Sequence, residues 1–187
     1  MRVLVTGGTG TVGSQVVQQL VGRGTEVRVL TRDPGKARLP EGVTAVAGNL
    51  NDDATVRTAF SDVDAVFLLN VVGPTESHEA LLSLTAMRGT GVRRVVYLSV
   101  HHADKAAYLP HFGAKVGVEA GLKASGLSYT VLRPDNFFQN DYWSRDVMLQ
   151  HGVYPQPLGE LGTSRVDARD IGEAAAIAFT HAGPTTS

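Results

Sequence analysis

A chain of 187 residues with a formal net charge of -1 and no cysteine has the length of one domain able to bury its own core. It offers neither a disulfide framework nor a thiolate metal site, and its charge leaves no electrostatic footprint for nucleic acid or an anionic membrane. No apolar run is long enough to span a bilayer, and Met1-Arg2 leads straight into a strand-like run where a leader would carry its apolar stretch, so the expectation is a soluble, cytoplasmic protein.

The first segment is Val3-Leu4-Val5-Thr6, followed by Gly7-Gly8-Thr9-Gly10-Thr11-Val12-Gly13-Ser14. A short apolar strand, a glycine turn and a helix start together make a phosphate cradle. Missing side chains let a pyrophosphate approach the free N–H groups of the helix's first turn, where the helix dipole favours an anion. The spacing is G-x-x-G-x-x-G and not the G-x-G-x-x-G of the dinucleotide fingerprint, yet it lies between strand and helix, the context that fingerprint requires. A tight turn that merely needs positive φ angles is the plainer alternative. Val12, Val16, Val17, Leu20 and Val21 then fall at helical spacing, and Gly22 and Gly24 end the helix. Glu26 to Thr31 reads as the second strand, giving a βαβ unit of parallel strands. Arg32 stands just past that strand's carboxyl end, where an arginine accommodates a 2′-phosphate and an acidic residue would bind a ribose 2′-hydroxyl. Asp33 follows it, but Lys36 and Arg38 add positive charge, so NADP(H) is preferred over NAD(H); the competing reading is a solvated basic loop.

Val43 to Ala47 is the third strand, and Asn51 or Asp52 caps a helix starting near Ala54. Asp64 to Leu69 is nearly all apolar, as expected of a central strand covered on both faces, and Asn70 with Gly73-Pro74 ends it. A helix from about Glu76 to Arg88 leads to a fifth strand, Arg93 to Ser99. Residues 106–125 read as one helix, with Lys115, Glu119 and Lys123 four apart along one side. Tyr129 to Leu132 is the sixth strand, closed by Arg133-Pro134. An aromatic segment follows (Phe137, Phe138, Tyr142, Trp143), then a glycine- and proline-rich loop or short strand over 152–162, an alanine-rich helix from Asp167 to Phe179, and a frayed tail over 181–187. The alternation predicts an α/β fold in one domain over 1–187: a doubly wound, mostly parallel sheet with helices on both faces, and a short substrate-side region at about 135–165.

These pieces resemble the NmrA-like branch of the atypical short-chain dehydrogenase/reductases, with its isoflavone-reductase and quinone-oxidoreductase relatives. The matching motifs are Gly7 to Gly13, Thr31-Arg32, Gly48-Asn49-Leu50, Val96-Tyr97-Leu98-Ser99, Lys115 with Glu119, Tyr129 to Pro134, and Val166 to Ile171. The resemblance implies a Rossmann-type sheet with NADP(H) across the carboxyl ends of its strands. It places Gly7, Thr9, Gly10, Thr11, Val12 and Gly13 at the pyrophosphate, Arg32 at the 2′-phosphate, and Asn49 and Leu50 at the adenine. Leu69, Asn70 and Val71 fall under the ribose, and Ser99 and Lys115 near the nicotinamide. Aspartate is frequent in the family where Asn49 stands; an amide still hydrogen-bonds an adenine edge. Relatives also continue well past the length of this chain, so another subunit, as in a homodimer, or a reduced pocket is implied on the substrate side.

The main short-chain family uses a Tyr-x-x-x-Lys pair, in which lysine lowers the tyrosine pKa and binds ribose. Here His111 stands at that spacing before Lys115, and Tyr108 is three residues too early. Lys115 therefore has three readings: a ribose-binding group in proton transfer, a cofactor ligand in a protein that only senses NADP(H), or a solvated helix cation. His111 could donate the proton in place of tyrosine, because imidazole titrates near neutrality. Ser99 is a catalytic candidate beside Lys115 and His111, and His101 and His102, just beyond it, fall by the substrate mouth. Paired histidines without a carboxylate at ligand spacing do not argue for a metal. His102, Phe137 and Trp143 are the candidate substrate wall, against a reading of the aromatics as core or subunit contact. The leading expectation is an NADP(H)-dependent oxidoreductase of a small carbonyl, quinone or enone. The alternative is a redox sensor that signals through a regulatory protein partner, and a sugar-nucleotide epimerase is disfavoured by the missing tyrosine.

Overall fold

Six apolar runs become strands: β1 (Arg2–Thr6), β2 (Glu26–Thr31), β3 (Thr44–Ala47), β4 (Ala65–Leu68), β5 (Arg94–Leu98) and β6 (Ser128–Leu132). In the computed structural model, which describes residues 1–156 and 162–180, they form one sheet in the order β3-β2-β1-β4-β5-β6. Every pairing in that sheet is parallel. Between them run α1 (Thr11–Val21), α2 (Asp53–Phe60), α3 (Glu76–Met87) and α4 (Pro110–Ser125); α5 (Arg145–His151) and α6 (Ala168–Thr180) follow β6. Side chains alternate across each strand, so every buried strand serves two cores. Val3, Val5, Val29, Phe67 and Val96 face α1 and α6, whereas Leu4, Val66, Leu68, Val95 and Tyr97 face α2, α3 and α4. Each such fully buried aliphatic or aromatic side chain contributes about 1.5–3 kcal/mol. The doubly wound α/β expectation holds.

Helices α1 and α6 touch closely because Gly172 is glycine: a Cβ there would lie 2.8 Å from both C and Cβ of Gln15. Helix α2 begins where Asp52 accepts a hydrogen bond from the Ala54 N–H at 3.1 Å, a side-chain cap on an orphan donor.

One expectation needs correcting. The helix read over 106–125 starts at Pro110, after a separate 3-10 turn at Ala103–Ala106. Proline forces Leu109 into extended backbone (φ -83, ψ 132) and occupies the first helical position, where its missing N–H costs nothing. Tyr108 is thus not on the helix of Lys115, and it is 83% exposed. The aromatic segment forms a short strand β7 (Asn136–Phe137), a 3-10 run (Phe138–Ser144) and α5. A further short strand, β8 (Arg165–Val166), follows the segment read as loop or short strand over 152–162 and runs parallel to β7. Residues 157–161 of that expected loop, and the expected tail at 181–187, fall outside the described residues.

Candidate functional site

The chain reverses its direction of growth across the sheet between β1 and β4, and ligands of open α/β sheets bind at that switch point beyond the carboxyl ends of the strands. A cleft of about 720 Å³ opens there. The Thr6 hydroxyl sets its floor, donating to the Leu69 carbonyl at 2.8 Å and accepting from the Leu69 N–H at 2.7 Å. The glycine turn forms the wall. Gly7 has φ +65, and its carbonyl accepts from the Gly10 N–H at 3.0 Å. Gly13 is glycine for a different reason: a Cβ there would sit 2.1 Å from the Gly7 carbonyl oxygen, so its bare Cα lets α1 close onto the turn.

Of the residues expected to hold a dinucleotide, Gly7, Thr9, Gly10, Arg32, Asn49, Leu50, Leu69, Asn70 and Val71 line this cleft. Val12 is buried in the core behind the turn and Thr11 is exposed at the first position of α1. Arg32 makes no ion pair among the described residues, while the neighbouring Asp33 carboxylate is held by Lys36 at 2.9 Å. The basic character beyond β2 therefore rests on Arg32, with Asp33 already countered.

One lining group escaped the sequence reading. The Glu79 carboxylate accepts from Asn51 Nδ2 (2.7 Å), Thr75 Oγ1 (2.9 Å) and Asn70 Nδ2 (3.2 Å), tying the β3–α2 loop and the β4 end to α3. Asn70 is only 3% exposed, yet its Oδ1 has no hydrogen-bond partner among the described residues. A buried acceptor left unmatched costs about 1–3 kcal/mol, and Asn70 lines the cleft. The residues present thus fit a dinucleotide on two counts: an acceptor lacking the donor a ribose hydroxyl has, and a cation beyond β2 that makes no ion pair among the described residues.

A second cluster lies at the end of β5, outside the cleft. Lys115 is 3% exposed, which overturns its reading as a solvated helix cation. Its Nζ is 2.9 Å from Glu76 Oε1 and donates to the Leu98 carbonyl at 2.9 Å. The other carboxylate oxygen, Oε2, is 2.8 Å from His111 Nδ1. Burial pulls the Lys115 pKa down and the Glu76 charge partly restores it. Tyr97, whose ring lies 5.0 Å from the Lys115 ammonium, is pushed upward by burial and then by the charges of Glu76 and Glu119. Its phenol stays protonated. Ser99 donates to Glu119 at 2.5 Å, and Arg133 grips the same carboxylate through Nε (3.0 Å) and Nη2 (2.5 Å). Burial raises the Glu119 pKa, but the Arg133 and Ser99 hydrogen bonds outweigh it and hold the group below the usual glutamate range. Lys115, Glu119 and Lys123 are not a paired stripe: the first turns to α3 and the second to Arg133.

Of the expected substrate wall, Phe137 on β7 is half-buried and packs on the core. His102 is exposed in left-handed backbone (φ 53), its ring 3.7 Å from that of His101. Trp143 is 84% exposed. The structure does not bring these three into the cleft. Glu76 was missed for a plain reason. A glutamate in the first turn of a helix reads as dipole compensation, and nothing local separates that from a buried ion pair.

The sheet order and the glycine-walled cleft at its switch point define a Rossmann-type dinucleotide-binding domain. The chain belongs to the NAD(P)H-binding family, whose profile matches residues 7–181. It is 32% identical to an NAD(P)H azoreductase of Xenophilus azovorans over 97% of this chain and 64% of that protein. It superposes with a TM-score of 0.86 on the NADPH-dependent quinone oxidoreductase of Escherichia coli complexed with NADPH, at 26% identity, covering 97% of this chain and 65% of that one. Against the triphenylmethane reductase of Citrobacter sp. complexed with NADP(H) the TM-score is 0.86 at 20% identity, covering all of this chain and 68% of that one, a likeness of fold. The chain thus spans about two thirds of the length of these proteins. No helix among the described residues is long and apolar enough to cross a membrane.

Proposed function

We propose that this chain is the cofactor-binding part of an NADP(H)-dependent oxidoreductase that reduces a small quinone, carbonyl, enone or azo compound. The observation that carries it is the cleft at the β1–β4 switch point, with the glycine turn at one end and an unpaired Arg32 beyond β2. Support comes from relatives named as an azoreductase and a quinone oxidoreductase. In this reading Gly7, Thr9 and Gly10, with the first N–H groups of α1 at Thr11 to Gly13, hold the pyrophosphate. Arg32 takes the 2′-phosphate, Asn49 and Leu50 the adenine, and Leu69, Asn70 and Val71 the ribose. Ser99 and Lys115 stand toward the nicotinamide end. The bound cofactor supplies hydride; the protein must orient the acceptor, exclude water and supply a proton, here from His111.

One observation favours a second reading, a sensor of NADP(H) acting through a protein partner. The Lys115 ammonium is committed to Glu76 and the Leu98 carbonyl, leaving one of its three donors for ribose. Steady-state oxidation of NADPH with a panel of quinones, aldehydes, enones and azo dyes separates the two. Acceptor-dependent turnover supports the enzyme. Tight NADPH binding with no turnover on any acceptor supports the sensor.

A further inference from the structure

We propose that Glu76 is a positioning residue that locks His111 in one tautomer, with the proton on Nδ1, and so makes Nε2 the atom that passes a proton to substrate. The inference rests on the oxidoreductase reading and deepens it. Glu76 opens α3 and His111 lies in the first turn of α4, so two helix starts converge beside the carboxyl ends of β4 and β5. The carboxylate is 1% exposed, whereas the imidazole is 29% exposed: the edge of the ring that is held is the buried one. A carboxylate is an acceptor only, so the 2.8 Å contact from Nδ1 to Oε2 requires Nδ1 to carry hydrogen.

The charges around the ring make this arrangement serviceable. From α4 Lys115 lies against Glu76 Oε1 at 2.9 Å, so the pair is neutral without help from the histidine. From β5 Tyr97 presents a phenol raised well above its ordinary range, which adds no charge. The Phe112 ring meets the imidazole in a T-shaped contact, at 5.6 Å between centroids. Whether His111 is neutral or cationic, the Nδ1–H···Oε2 bond survives, and the proton comes and goes at Nε2 alone. This is how a buried carboxylate tunes a histidine: it fixes which nitrogen is basic. A bound reduced dinucleotide would supply the hydride to the acceptor. The acceptor then forms an O–H or N–H bond with the proton of His111 Nε2, the electron pair of the broken N–H bond stays on Nε2, and water restores the proton. The spacing His111-x-x-x-Lys115 thus replaces a tyrosine with an imidazole, and Glu76 is what makes that imidazole directional.

The test begins on the protein without dinucleotide. Nitrogen-15 NMR of the histidine rings is expected to show His111 as a single tautomer protonated on Nδ1. In Glu76→Gln the single tautomer is expected to give way to a mixture, since an amide both donates and accepts. Because that variant leaves Lys115 without its partner, Glu76→Gln/Lys115→Met is measured beside it, with the same mixed tautomer expected. On turnover, His111→Gln is expected to lower kcat by about a hundredfold, the scale of a positioned general acid, with the NADPH dissociation constant unchanged. Glu76→Asp is expected to recover part of what Glu76→Gln loses. A wild-type ring protonated on Nε2, a wild-type mixture of tautomers, or a His111→Gln variant with undiminished kcat overturns the proposal. Failure of NADPH to bind would instead strike the oxidoreductase reading, and the tautomer measurement would stand apart from it.

Discussion

Gly13→Ala tests the geometry of the glycine turn most sharply. The added Cβ would lie 2.1 Å from the Gly7 carbonyl oxygen, 2.6 Å from the Gly7 carbonyl carbon and 2.8 Å from the Gly8 Cα, where ordinary contact begins at 3.4 Å. All three atoms are backbone, so no side chain can swing aside; α1 must lift from the turn by about 1 Å. Overpacking of this kind costs about 1–3 kcal/mol, which for a domain of this size lowers Tm by about 2–12 °C. The lift also spoils the Gly10 N–H to Gly7 carbonyl bond and moves the N–H groups offered to a pyrophosphate. Scanning calorimetry and NADPH titration are the assays. Gly172→Ala is the control, with clashes of 2.8 Å against Gln15 in the α1–α6 contact. It should lose Tm on the same scale and keep its NADPH affinity. A Gly13→Ala protein with wild-type Tm and wild-type NADPH affinity would refute the reasoning.

The other predictions concern charges. Arg32→Ala should weaken NADPH by the value of a hydrogen bond to a charged group, about 1.5–3 kcal/mol, or roughly tenfold to a hundredfold in Kd, and leave NADH nearly unchanged; equal losses for both would remove Arg32 from the 2′-phosphate. Lys115→Met should destabilise by about 3–5 kcal/mol in urea unfolding, because Glu76 is left charged and buried, and Lys115→Met/Glu76→Gln should recover much of that; a double variant no better than the single would contradict it. Glu119 is held below its ordinary pKa by Arg133 and Ser99, so its contribution is present above the usual glutamate range and is lost as pH falls through the depressed folded value. Arg133→Met should therefore cost stability near neutrality and flatten the acid limb of the stability curve; an acid limb identical to wild type in circular dichroism titrations would argue against it.

Much of the fold could be read because parallel strands covered on both faces need apolar residues at almost every position. Ala65-Val66-Phe67-Leu68 is such a strand, and each of the six lies within two residues of its expected place. The start of α4 was misplaced because Ala103, Ala106 and Ala107 favour helix locally, while Pro110 resets the backbone before it. Strands β7 and β8 have two residues each and exist only through each other, which no local pattern encodes. The cleft was legible from Gly7, Gly10 and Arg32 because a strand, turn and helix in succession carry their own geometry. The Glu76–His111–Lys115 cluster was not. Lys115 and His111 were noticed for their spacing, but their partner belongs to another helix, and its burial is a property of the packed sheet.

Calorimetric titration of the purified protein with NADPH and NADH decides whether the cleft at the β1–β4 switch point takes NADP(H) and prefers it to NAD(H). Saturable binding of NADPH is expected, with NADH weaker by roughly tenfold or more, the difference one charge-assisted contact supplies. Equal affinity for the two would contradict the part given to Arg32, and binding of neither would contradict the reading of the glycine turn.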